Sequence, residues 1–130
     1  MKKFMIHGIL SALISSIAGG LFLKFYYSLE LDQSEKVLPI WKVIAIYISL
    51  SLLLSLILFQ AKKILNNLGV IMVNTILSIV TTASIVYPIT YVNQNLDTTF
   101  IAVAAIPVHF IMPMIWMALQ PIIFNSNNEK

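Results

Sequence analysis

Four long apolar stretches follow one another along the chain, separated by short polar segments. They cover residues 4–27, 39–60, 69–92 and 99–124. A helix of about 20 mainly apolar residues crosses a hydrocarbon core about 30 Å thick, and each stretch has this length. In hydrocarbon the backbone must pair within its own segment, as a helix does. The pattern therefore predicts an all-α integral membrane protein with four transmembrane helices in an antiparallel up-down bundle.

The segments between these stretches are short. They comprise residues 28–38, 61–68 and 93–98, followed by the tail 125–130. A segment this small cannot bury a hydrophobic core of its own. The chain, residues 1–130, is therefore predicted to form a single transmembrane domain with short loops.

The start of the chain also resembles a secretory signal peptide. Met1, Lys2 and Lys3 precede an apolar run, and Ser16-Ile17-Ala18 has the small residues of a cleavage site. A signal core has about 7–15 apolar residues. The run here is longer, so we interpret it as the first membrane span.

Composition narrows the classes of function. The chain is 59% hydrophobic and 10% charged, with a mean hydropathy of +0.92. A soluble domain carries about 25% charged residues. Soluble enzymes and nucleic-acid partners are therefore excluded. The absence of cysteine removes disulfides and thiolate metal sites, and neither a cofactor nor a metal is expected.

The lysines predict the orientation in the membrane. With four spans both termini share a side, and five of the eight lysines fall there: Lys2, Lys3, Lys62, Lys63 and Lys130. Four acidic residues fall on the opposite side: Glu30, Asp32, Glu35 and Asp97. Because Lys and Arg are enriched in cytoplasmic loops, both termini are predicted to be cytoplasmic. The Lys-, Asn- and Ile-rich composition without Arg indicates an AT-rich bacterial genome, and hence the bacterial inner membrane.

Small residues recur every four positions in the first span. One row contains Gly8, Ala12, Ser16 and Gly20, and the row beside it contains Ser11, Ser15 and Gly19. Such spacing lets two helix backbones approach closely in lipid. We expect Gly8, Ala12, Ser16 and Gly20 to form a helix-packing face, directed either to a neighbour within the bundle or to another copy or subunit.

Polar residues lie near the middle of each span. Counted by helical rise, the midplane set is Ser15, Ser49, Ser51, Thr81, Thr82 and His109. His109 is its titratable member, and an ionisable group at this depth is a functional-site hypothesis. The alternative is structural, because Ser and Thr can bond to the carbonyl four residues earlier and a neutral His needs two partners. Pro113 frees the carbonyl of His109, which adds interest to this position.

Haem binding, copper transport and hydrolysis by a Ser-His dyad are each disfavoured. A haem between His7 and His109 would have to bridge about 15 Å of depth. A copper path along Met112, Met114 and Met117 has no accompanying Cys. A dyad of His109 with a midplane Ser lacks an orienting group and an oxyanion motif. The protein is therefore predicted not to be an enzyme.

The sequence gives most support to two hypotheses about function. The first is a small non-catalytic membrane protein that acts through helix contacts, as an accessory or assembly subunit or as a homo-oligomer, with the bilayer and other membrane subunits or its own copies as partners. The second is a channel or carrier for a neutral or weakly polar solute, lined by the Ser/Thr layer and His109. A ligand or lipid sensor built on the proline-kinked fourth span is a third hypothesis.

Overall fold

The computed structural model describes residues 1–31, 33–92 and 94–125. All regular secondary structure in this part of the chain is helical. The helices are α1 (Lys2–Tyr27), α2 (Ser34–Val37), α3 (Ile40–Ser84), α4 (Val86–Thr90) and α5 (Ile101–Asn125). Asp32 and Lys130, which entered the prediction of orientation, lie outside the described residues.

Three helical stretches are long and apolar enough to cross a membrane. They are Lys2–Tyr27, Ile40–Thr90 and Ile101–Phe124. These stretches confirm the prediction of an all-helical protein with helices suited to a membrane. The predicted linker 61–68 is helical except at one residue, so the second and third apolar stretches share the single element α3.

The exception within α3 is Asn66. Its φ of 53° and ψ of −133° are not helical and resemble the first central residue of a type II′ turn. A Cβ atom on Gly69 would collide with the backbone of Ala61, although eight residues of straight helix span about 12 Å. The backbone therefore turns back at Asn66, and we refer to residues 40–65 as α3a and to residues 67–84 as α3b.

Helix α1 packs along both α3 and α5. Its first turn lies beside the last turn of α5, where the rings of Phe4 and Phe124 are 4.8 Å apart. Its last turn lies beside the start of α5, where the Tyr26 hydroxyl donates a hydrogen bond to the Phe100 carbonyl oxygen at 3.0 Å. These contacts set the depth of α1 against α5 at both ends.

The core lies mainly between α1, α3a and α5. Trp116 is fully buried there, together with Leu23 and Leu58. Helix α3b contributes Val73 and Leu77 to the same cluster. Large apolar side chains also cover the outer faces of the long helices, as hydrocarbon around the protein would require.

A local hydrogen-bond motif precedes α5. Asp97 accepts hydrogen bonds from the Thr99 hydroxyl at 2.7 Å and from the Thr99 backbone N–H at 3.1 Å. These bonds hold the pKa of the Asp97 carboxyl below its usual value because they favour the ionised form. The Thr99 side-chain bond has the larger effect and the backbone bond the smaller one.

Candidate functional site

The small residues of α1 pack within the chain. A Cβ on Gly8 would lie 2.7 Å from the Cβ of Ser55 and 3.2 Å from the carbonyl oxygen of Ser51, so α1 and α3a approach closely there. Gly19, from the neighbouring row, approaches the ring of Tyr47 in the same way, at 2.6 Å.

Only part of the predicted packing face makes such a close helix contact. Ala12 is buried and Ser16 is half-buried. Gly20 has room, since a Cβ there would lie 3.7 Å from the nearest atom of Ile40. The close contact thus follows Gly8, Ala12 and Gly19 rather than the full predicted row.

His7 is a buried polar residue that links α1 to α5. Its side chain is 0% exposed, and its Nε2–H donates to the Trp116 carbonyl oxygen at 2.9 Å. The His7 and Trp116 rings meet edge to face, with centroids 4.2 Å apart. His7 is therefore enclosed by protein.

Several buried polar side-chain atoms on α1, α3a and α5 have no hydrogen-bond partner among the described residues. They are His7 Nδ1, the hydroxyl oxygens of Ser11, Ser15, Ser16 and Ser51, and Trp116 Nε1. Leaving one such group unpaired costs about 1–3 kcal/mol. Ser55 is satisfied, since its hydroxyl donates to the Phe4 carbonyl oxygen. From His7 to Ser16 is about 13.5 Å of helix, so the unpaired groups form a row along α1 rather than a single cluster.

The predicted midplane layer is divided between different surroundings. Ser15 and Ser51 are fully buried, and their hydroxyls are among the unpaired groups. Ser49 and Thr82 are exposed on the outer surface, and the Thr82 hydroxyl donates to the carbonyl oxygen four residues earlier. The structure therefore does not bring these four residues together.

His109 and Thr81 line an apolar crevice between α3a, α3b and α5. His109 is half-buried, and its Nδ1–H donates to the Ala105 carbonyl oxygen of the same helix at 2.7 Å. This bond satisfies one ring nitrogen locally. His109 is thus held by its own helix, in contrast to His7, which links two helices.

An apolar crevice of about 420 Å³ runs between α3a, α3b and α5. Leu50 and Leu54 line it from α3a, Leu77 and Val80 from α3b, and Met112 from α5. Its volume is within the range of pockets that bind small ligands, about 300–1,000 Å³.

Two hydroxyl groups on the crevice walls donate hydrogen bonds to backbone carbonyl oxygens. The Tyr47 hydroxyl donates to the Val108 carbonyl oxygen at 2.5 Å, and the Ser84 hydroxyl donates to the Thr81 carbonyl oxygen at 2.7 Å. The lining of the crevice is mainly hydrocarbon, with His109 and Thr81 as further polar members.

A more polar pocket of about 300 Å³ lies where α1 begins and α5 ends. The Lys62 ammonium stands 5.2 Å from the ring centroid of Phe124 and 6.0 Å from that of Phe4. At its inner side Asn74 and Gln120 exchange two amide hydrogen bonds of 2.8 Å. Together these contacts connect α1, α3 and α5 at this end.

Sequence reasoning did not single out Trp116 or the buried position of His7. A signal was present, because His7, Ser11 and Ser15 follow one another at four-residue intervals and so share one face of a helix. The position of His109 near the predicted midplane favoured His109 instead. Within the described residues there is no group of three or more His, Cys, Asp or Glu side chains that could hold a metal ion.

Comparison with protein-family models, with characterised proteins and with solved structures finds nothing that matches this chain.

Proposed function

We propose that this chain is a multi-pass protein of the bacterial inner membrane with four spans and with both termini in the cytoplasm. The turn at Asn66 supports this topology, because it divides α3 into two arms that line the same crevice. With α1 and α5 these arms make an antiparallel bundle. The lysine distribution supports the orientation.

We further propose that the protein has no catalytic machinery and acts through helix contacts, as an accessory or assembly subunit or as a homo-oligomer. The crevice beside α3b is the observation that carries this proposal. The small-residue face of α1 is already used within the chain, whereas α3b leaves an apolar gap against α3a and α5. Side chains from a partner helix would fill this gap, since close packing drives association in lipid.

Cysteine crosslinking tests the position of this contact. The chain has no Cys, so each single-cysteine variant carries one thiol. Val80→Cys places it at the crevice on α3b, and Leu13→Cys places it on α1 with similar exposure, 58% against 53%. In native membranes we expect Val80→Cys to crosslink to a partner or a second copy and Leu13→Cys to do so several-fold less.

The native mass of gently extracted protein provides the second measurement. A stoichiometric assembly that contains the Val80→Cys crosslink supports the proposal. A lone monomer, or equal crosslinking from the two positions, would contradict it.

The second candidate function is a carrier or channel for a small neutral or weakly polar solute, and the row of unpaired polar groups along α1 favours it. Ser51→Leu would replace one of these buried hydroxyls by an apolar side chain, while Ser49→Leu makes the same change on the outer surface. With reconstituted vesicles and glycerol as the probe, we expect Ser51→Leu to abolish flux and Ser49→Leu to preserve it. In the same assay His109→Ala tests whether His109 lines the path. Wild-type flux equal to that of empty vesicles would exclude this function.

A further inference from the structure

The pocket around Lys62 differs from the rest of the molecule in its charge. The amino group of Met1 and the side chains of Lys2, Lys3 and Lys63 belong to the same end of the protein, because Phe4, close to the chain start, packs within 6.0 Å of the Lys62 ammonium. The described acidic residues Glu30, Glu35 and Asp97 lie in the segments at the other end of the helices. A cluster of lysines beside membrane helices attracts anionic lipid.

Lys62 is held in position rather than extended into solvent. Its ammonium lies over the faces of two aromatic rings, Phe4 and Phe124, an arrangement that favours a cation. An ammonium has three N–H donors, and ring contacts leave them available to an acceptor. The pocket therefore offers a fixed positive charge.

Amide groups complete the polar side of the pocket. Asn67 and Gln120 both line it, and Gln120 uses one of its two N–H donors on Asn74. A side-chain amide has a second N–H, so Gln120 can donate to a further acceptor. Val70 and Ile71 form an apolar wall beside these groups.

We propose that this pocket binds the phosphate headgroup of an anionic phospholipid. Lys62 pairs with the phosphate charge, and the amides of Asn67 and Gln120 donate hydrogen bonds to its oxygens. The apolar wall formed by Val70 and Ile71 suits the start of the lipid's hydrocarbon chains. A free phosphate ion would use the same donors but would gain nothing from this wall.

Lipid binding by the purified full-length protein in detergent tests this assignment. Phosphatidylglycerol and phosphatidylcholine with identical acyl chains are the two probes, and bound lipid is measured by phosphorus content. Lys62→Gln removes the charge in the pocket, and Lys63→Gln removes a neighbouring charge that does not line it. We expect Lys62→Gln to weaken phosphatidylglycerol binding about five-fold, whereas Lys63→Gln stays within about two-fold.

The wild-type protein gives an independent test that does not depend on the folding of a variant. Phosphatidylglycerol should protect Lys62 from an amine-acetylating reagent more than it protects Lys63. Millimolar inorganic phosphate should leave phosphatidylglycerol binding unchanged.

Three results would overturn the proposal. Equal losses for Lys62→Gln and Lys63→Gln, or equal protection of the two lysines, would indicate diffuse attraction to charge. Equal binding of phosphatidylcholine would remove the need for a negative headgroup. Displacement of the lipid by inorganic phosphate would assign the pocket to a free anion.

Discussion

Replacement of Gly8 by alanine tests the closest contact between α1 and α3a. The new Cβ would lie 2.7 Å from the Cβ of Ser55 and 3.2 Å from the carbonyl oxygen of Ser51. Carbon atoms normally pack about 3.5–4.0 Å apart. Because the Ser55 Cβ is attached directly to backbone, the two helices must separate by about 1 Å. This movement would also disturb the hydrogen bond from Ser55 to Phe4.

Gly20→Ala is the matched control for this change. Its Cβ would lie 3.7 Å from Ile40 and 3.9 Å from Ile44, which is ordinary contact. Both substitutions gain about 0.8–1.0 kcal/mol of helix propensity, so this gain cancels when they are compared. The difference in unfolding free energy then isolates the overpacking cost at Gly8, about 1–3 kcal/mol.

Unfolding in mixed micelles, with sodium dodecyl sulfate as the denaturant, measures this difference. Trp116 is fully buried beside His7 and reports on the core. A Trp41→Phe background removes the emission of the exposed Trp41. Both glycine variants and the parent are measured in this background.

The contact itself is tested by a compensating change. Ser55→Gly removes the opposing Cβ, so we expect its destabilising effect and that of Gly8→Ala to be less than additive, with a coupling of about 0.5–3 kcal/mol. If Gly8→Ala and Gly20→Ala have the same free energy of unfolding, or if the double variant is strictly additive, the close approach of α1 and α3a is refuted.

Three further predictions follow from single positions. Asn66→Gly should leave stability unchanged or raise it, since glycine accepts positive φ, whereas Asn66→Val should lower it by about 1–3 kcal/mol; equal unfolding midpoints would contradict the turn. His7→Ala should cost about 2–4 kcal/mol because it empties a buried, bonded position, while His109→Ala should cost less than about 1 kcal/mol because its bond is local; the reverse order in the micelle assay would refute this. Asp97 has a lowered folded-state pKa, so its contribution to stability is present above its unfolded pKa and is lost as the pH falls through the folded value. Thr99→Val should raise the Asp97 pKa in an NMR titration. An unchanged pKa would contradict the hydrogen bonds.

The run lengths of apolar residues were enough to predict helices suited to a membrane. This works because hydrocarbon forces each backbone segment to satisfy its own hydrogen bonds, which is a local property. The predicted stretches 4–27 and 99–124 correspond to α1 and α5 within about three residues. The sequence predicted a linker over residues 61–68 between the second and third stretches, whereas the structure keeps these residues helical except at Asn66, where the chain adopts a turn conformation.

The face that each helix turns inward was decided only by the tertiary structure. In water, burial separates apolar from polar faces, but in a membrane the interior and the lipid are both apolar. The sequence therefore favoured the row of Gly8 and Gly20, and His109, on spacing and depth alone, which do not fix the rotation of a helix. Packing against α3a and α5 selected Gly8 and Gly19 as the close contacts and enclosed His7. His109 remained at the edge of the crevice, because the rotation of a helix about its own axis is set by its neighbours.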